Sequence, residues 1–181
     1  MELIKNFKEN SLVKNLFLAI LATLLLAVSS KIKIPFWPVP MTMQTFVVML
    51  IGILFGWKLG LFTVSLYLME GIVGLPVFAG TPEKGMGIVY FTGPTMGYLL
   101  GFLVTVYLTG FFKFDNNFLK NFVKLCFAVS FIYSFGLLWL GSLIGWDKPI
   151  FELGAQPFLL AELFKVLILT ILIPKISRFR I

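Results

Sequence analysis

Long apolar runs, broken by short polar or turn-forming segments, divide this chain. A membrane-crossing helix needs about 20 consecutive, mainly apolar residues. On that basis the pattern predicts six spans: 15–30, 41–56, 59–73, 94–112, 121–145 and 155–173. The run PFWPVP (35–40) opens the second, and Gly74–Leu75–Pro76 ends the third. Pro94 suits the first turn of the fourth, and Pro174 stops the sixth. Spans two and three are short, so little tilt is expected of them, or flanking loops that dip into the membrane. The expected fold is an all-α integral membrane protein, a six-transmembrane-helix bundle forming one domain over residues 1–181.

Composition supports this reading. The chain is 59% hydrophobic and 13% charged, with a mean hydropathy of +0.99, where a soluble domain has about 45–50% apolar and about 25% charged residues. The first apolar run lacks a small-residue cleavage pattern, so it reads as a true span and not as a removable signal. The single cysteine, Cys126, excludes a disulfide within the chain. The absence of histidine removes His-based metal sites and His general bases.

Charge then orients the bundle. An even number of spans puts both termini on one side. That side carries Lys5, Lys8, Lys14, Lys58, Lys113, Lys120, Lys124, Lys175, Arg178 and Arg180. The other carries Lys31, Lys33, Lys84 and Lys148. Cationic loops stay inside, so both termini are expected in the cytoplasm. The longest outer connection, Gly74 to Gly93, is rich in Gly and Pro yet apolar at VFAG and GIVYF. Such a loop tends to pack back on the helices or cover something.

The exception to the apolar pattern is AELFKVLILTILIP (161–174), where Glu162 and Lys165 lie one turn apart. Charges at membrane depth are expensive and are functional-site candidates by default. Counted from residue 155, Glu162 should lie about 10 Å below the outer end of span six, with Lys165 a turn deeper, near the midplane. Gln44, Tyr67, Glu70 and Tyr98 also fall in the outer halves of their spans. Tyr67 alone reads as an interfacial anchor and Glu70 as a solvated helix end. Gln44 is less easily dismissed, and Gln44, Tyr67, Glu70 and Tyr98 taken with Glu162 and Lys165 suggest a polar pocket, open outward and roofed by the 74–93 loop. It would suit a small ligand with amide-like donors and acceptors.

Small residues recur at every fourth position: Ala19, Thr23 and Ala27; Gly52, Gly56 and Gly60; Gly97 and Gly101. Such rows let helices approach closely. Within the chain they serve packing; a row facing outward on span one would dock another membrane protein.

The runs VPMTMQT (39–45), GLPVFAG (74–80), GPTMGYLLGF (93–102) and PFLLAELFK (157–165), in that order, resemble the BioY family of biotin transporters. These are substrate-binding S components of energy-coupling factor (ECF) transporters. The resemblance covers nearly the whole chain. It implies a biotin-binding and uptake component in the bacterial cytoplasmic membrane that captures biotin from the outer side. It also implies a partner, a transmembrane coupling subunit carrying two ABC ATPases. Carried over by motif, the biotin positions are Gln44, Val77, Phe78, Ala79, Gly80, Tyr98, Glu162 and Lys165, with Tyr67 a weaker candidate. The Ala19–Thr23–Ala27 row resembles the docking face for the coupling subunit. The chain departs from the family in Ala161–Glu162 where Gly-Asp is usual, in Met96 where glycine is common, and in the less glycine-rich TPEKGM (81–86).

Biotin presents two ureido N–H donors and a carbonyl, an apolar thioether ring and a valerate carboxylate. Glu162 would accept a ureido N–H and Lys165 would donate to the carbonyl, with charge-assisted strength. The reverse orientation pairs Lys165 with the valerate. No enzyme activity and no cofactor are expected, and no GxxxxGK[ST] phosphate loop is present. The rival readings are an S component for another small vitamin or metabolite and a non-enzymatic assembly subunit.

Overall fold

The computed structural model describes residues 2–34, 37–83 and 85–180, with side chains from Leu12 onward. Pro35, Phe36 and Lys84, and the side chains of Lys5 and Lys8, lie outside the described residues. The helices are α1 (Glu2–Lys31), α2 (Gln44–Ile72), α3 (Met96–Phe111), α4 (Phe118–Ile144), the short α5 (Ile150–Gly154) and α6 (Leu159–Ile176). A two-stranded antiparallel hairpin, β1 (Lys33–Ile34) with β2 (Met41–Thr42), separates α1 from α2. A 3-10 helix, Gly87–Thr92, lies in the loop before α3.

α2 is one element by its hydrogen bonds but two arms in space. Gly56 interrupts it with φ +69° and ψ 177°, a conformation open to glycine and costly for residues with a Cβ. The chain folds back there. A Cβ built on Gly60 would lie 3.6 Å from the Cα of Gly52, and the Gln44 and Tyr67 side chains, 23 positions apart, meet at 2.7 Å. The arms, 44–55 and 57–72, correspond to the second and third predicted runs. Among the described residues four helices are long and apolar enough to cross a membrane, with α3 a shorter apolar fifth. The long apolar element containing α2 is this hairpin.

Other boundaries move. Residues 41 and 42 are strand, not helix. Pro174 lies inside α6 instead of stopping it. Proline removes one backbone donor and crowds the preceding turn; here the helix runs only two residues further before a 3-10 turn. α6 starts at Leu159, after α5 and a 3-10 turn at Gln156–Phe158. Glu162 is therefore in the first turn of α6, and Lys165 one turn on. The pair sits nearer the helix end than the expected depth.

The glycine rows pack helices together. Gly52 faces Thr109 and Val106 of α3, and Gly97 and Gly101 face the backbone of α4 at Phe135 and Ile132. The row on α1 also turns inward. Ala19 is fully buried, Thr23 is 1% exposed, and Thr23 donates to Glu70 Oε1 at 2.8 Å. Ala27 is half-buried beside them. The expected docking row thus packs α1 onto α2, and Glu70, expected to be solvated, is half-buried and hydrogen-bonded. Small side chains win there because α1 carries larger ones outward: Leu16, Phe17, Leu24 and Val28 are exposed. With Phe164 and Ile171 of α6 they form an apolar exterior, which water would penalise and lipid accepts.

The two ends of the bundle differ in chemistry. At one end Arg180 caps α3, donating to the carbonyls of Phe112 (3.0 Å) and Gly110, next to the Gly56 turn. Lys124 donates to the Lys113 carbonyl nearby. At the opposite end lie the β-hairpin, the 74–93 loop and the cavity.

Candidate functional site

The cavity holds about 560 Å³ of empty space, its mouth included. It lies between the start of α2, the start of α3, the middle of α4 and the first turns of α6. The sequence brings these together because Gly56 returns α2 on itself and Gly97 and Gly101 let α3 lie against α4. Of the expected residues, Gln44, Phe78, Ala79, Tyr98, Glu162 and Lys165 line it.

Glu162 and Lys165 are 4% and 7% exposed, and their charged atoms are 3.2 Å apart. Glu162 Oε2 accepts from three donors: the Thr45 hydroxyl (2.9 Å), the Tyr133 hydroxyl (3.0 Å) and Lys165 Nζ. Its carboxylate therefore sits in the first turn of α6 and touches the first turn of α2, and both helix starts favour negative charge. Oε1 is buried and has no hydrogen-bond partner. Lys165 is the reverse. An ammonium has three donors, and Lys165 directs them to the Thr42 carbonyl (2.7 Å), Thr45 Oγ1 (3.0 Å) and Glu162 Oε2 (3.2 Å). The ammonium expected to donate to a ligand is saturated by the protein; the free capacity lies on the carboxylate.

Gln44 Nε2 donates to the Tyr67 hydroxyl at 2.7 Å, and its Oε1 accepts from Thr42 Oγ1 at 3.1 Å. Tyr98 donates to the Gly154 carbonyl at 2.8 Å, and its ring meets the Tyr133 ring edge-on at 6.2 Å. Gly136 makes room for that ring, since a Cβ there would overlap it.

The opposite wall is the 77–81 segment. Phe78 is 1% exposed. It stacks on Tyr90 at 4.8 Å and meets Tyr67 edge-on at 5.2 Å. Gly71 admits its ring. The backbone carbonyls of this segment are taken up by the protein. That of Val77 accepts from Tyr67 and Ser30, each at 2.8 Å. That of Ala79 accepts from Tyr90 at 2.7 Å.

Three expected residues do not reach the cavity. Tyr67 stands behind Phe78 and between Gln44 and Val77. Val77 contributes its carbonyl to the loop's support. Gly80, at φ +84°, makes the turn. Sequence reasoning missed Thr42, Thr45, Tyr90, Thr95, Tyr133 and Phe158, all of which line the site. Thr42 and Thr45 lay within VPMTMQT and offered a signal. Tyr133 offered another, as the lone tyrosine of an apolar span, far from an interfacial belt.

Fold and cavity define a class: an apolar helical bundle enclosing a small site with one acidic group, one basic group and an aromatic wall. Residues 4–180 match the model of the BioY family, and the chain belongs to that family. It is 35% identical over 158 residues to the probable biotin transporter BioY of Pyrococcus horikoshii, covering 87% of this chain and 89% of that one. It is 32% identical to the biotin transporter BioY2 of Lactococcus lactis, covering 90% of each. Among solved structures, the S-component for biotin from an ECF-type ABC transporter matches with a TM-score of 0.77 at 26% identity, covering 93% of each chain.

Proposed function

We propose that this protein binds biotin and serves as the substrate-binding component of its uptake system. Family membership and the biotin transporters among its relatives support the ligand. The observation that carries the site is the unpartnered, buried Oε1 of Glu162. A buried carboxylate oxygen without a donor costs about 1–3 kcal/mol or more. A ureido N–H placed there removes that cost. The second N–H of the Gln44 amide is the natural donor to the ureido carbonyl, because Lys165 has none to spare. Lys165 then holds Glu162, Thr45 and the Thr42 backbone in place and neutralises the carboxylate. A valerate pairing with Lys165 is disfavoured for the same reason. The thioether ring lies against Phe78, Leu99, Phe102 and Tyr133, and the tail points to the mouth.

We further read the bundle as six crossings, counting the α2 arms separately, with both termini in the cytoplasm. The clustering of Lys113, Lys124 and Arg180 at the end away from the cavity supports this orientation. Biotin would then enter from outside. The chain carries no phosphate loop, so energy comes from a partner or a gradient, and family membership favours a partner, a coupling subunit with two ABC ATPases. Such a partner would meet the large apolar side chains of α1, not its small-residue row.

Titration calorimetry of the purified protein with biotin, desthiobiotin and thiamine tests the reading. Tight, one-to-one biotin binding is expected, with thiamine inactive. Thiamine binding in place of biotin would assign a different vitamin, and no binding to a folded, monodisperse sample would remove the transporter reading.

A further inference from the structure

Lys31 reads in the sequence as one of the outer topology charges; its stem is exposed, but its ammonium is taken up by the protein. It ends α1, and its ammonium donates to the Phe78 carbonyl (2.9 Å), the Thr81 carbonyl (3.2 Å) and Thr81 Oγ1 (3.1 Å). Thr81 Oγ1 itself donates to the Phe78 carbonyl at 2.8 Å. One residue back, Ser30 donates to the Val77 carbonyl. The last turn of α1 thus holds the segment whose Phe78 and Ala79 face the ligand cavity. Neither Lys31 nor Ser30 lines that cavity.

We propose that Lys31 is a positioning residue for ligand binding: it fastens the 78–81 backbone to the end of α1 and so fixes the Phe78 wall against which the ligand packs. This rests on the biotin reading for its ligand, but not for the fastening itself. The physical reason is donor supply. Within the loop the Phe78 carbonyl already accepts from the Thr81 N–H at 3.3 Å as well as from Thr81 Oγ1, whereas the Val77, Ala79 and Thr81 carbonyls take their donors from outside the segment. A lysine offers three on a flexible stem, enough to hold two carbonyls and a hydroxyl at once. A consequence follows for α1. Among the long helices it packs chiefly on α2, so its outer end connects a peripheral helix to the binding wall.

The test uses the full-length chain in nanodiscs, with Lys31→Met, Lys31→Arg and, as a charge control, Lys33→Met. Hydrogen exchange of the ligand-free protein reads the fastening, and biotin titration with dissociation rates reads its effect. In Lys31→Met, exchange across 77–85 should rise at least several-fold while α2 and α3 stay unchanged. Biotin affinity should fall about fivefold, mostly through faster dissociation; this is less than a buried charge-assisted bond would give, because the Lys31 stem is exposed. Arg should recover most of the loss, and Lys33→Met should bind as the unmodified protein does. In a Phe78→Ala background Lys31→Met should add little, since it acts through that ring; full additivity would show a general stability effect and overturn the proposal. Unchanged exchange in the loop would overturn it too, as would a loosened loop with unchanged affinity. If the unmodified chain binds no biotin, the ligand reading fails, and exchange alone still decides whether Lys31 fastens the loop.

Discussion

The two walls of the cavity are built on opposite rules. The α6 wall is charged and leaves one polar atom open, Glu162 Oε1. The 77–81 wall is backbone-rich, yet its described carbonyls at Val77, Phe78, Ala79 and Thr81 all accept hydrogen bonds. It therefore offers shape: a phenylalanine ring clamped by Tyr67, Tyr90 and Phe91. The difference separates recognition from support. A polar atom left open where water is excluded is destabilising unless something arrives to fill it, so the α6 wall chooses chemistry. A loop with its polar groups satisfied can hold a fixed surface, so the opposite wall chooses size and outline.

The sharpest way to break this contrast is at Glu162. Glu162→Gln replaces the open acceptor with an amide and leaves Lys165 without its counter-charge. Biotin affinity should fall about 100-fold or more, the range for truncating a buried, hydrogen-bonded charge pair. Calorimetry checks it, and a loss under tenfold would mean that Oε1 does not meet the ligand. Lys165→Met should destabilise as well as weaken binding. It leaves the buried Glu162 charge to the Thr45 and Tyr133 hydroxyls alone, at about 3–5 kcal/mol, and should lower the unfolding midpoint in detergent. A Lys165→Met protein with unchanged thermal stability would show that Lys165 serves the ligand and not the scaffold.

On the other wall the expected losses are smaller. Phe78→Ala removes a ring but no hydrogen bond, and affinity should drop about 30-fold, as for a buried aromatic anchor. Gly71→Ala is the subtler variant. It removes no atom that faces the ligand, yet its Cβ would occupy the space of the Phe78 ring. The ring must move, and about tenfold weaker binding is expected, on the scale of a 1–3 kcal/mol overpacking cost. Equal affinity in Gly71→Ala and the unmodified chain would show that the Phe78 wall adapts instead of holding a shape.

Much of this was legible in the sequence, and the reasons for the failures are physical. The charged wall announced itself, because Glu162 and Lys165 stand out in any apolar run. Their division of labour did not. It depends on Thr45 and the Thr42 carbonyl, which come from another helix and a backbone atom, and neither has a sequence signature of saturation. The spans were legible as apolar runs, but the return at Gly56 was not, since Gly56 read as one member of a packing row and only its positive φ shows the turn. The face of α1 was not, since Ala19, Thr23 and Ala27 would look the same turned inward or outward. What decided it was the Thr23–Glu70 hydrogen bond, made across 47 positions of sequence. The count of Lys31 among the outer charges stands beside its further role, which was not legible because only the fold brings loop carbonyls to it.

Tyr67→Phe sets the lower bound of the series. Tyr67 touches both walls without facing the cavity: its hydroxyl accepts from Gln44 and donates to the Val77 carbonyl. Removing the hydroxyl frees one Gln44 N–H and leaves Val77 with Ser30 alone. Each change is worth about 1 kcal/mol, and they act in different directions. The loosened loop weakens packing, while the released amide donor becomes available for a ligand carbonyl. Biotin binding should therefore weaken only about threefold, less than two lost hydrogen bonds would give if they simply added. The enthalpy should separate the two effects, because a Gln44 freed to meet the ligand makes binding more exothermic even as affinity falls. A loss near 100-fold would place Tyr67 in direct contact with the ligand and make the boundary between the two walls a recognition element in its own right.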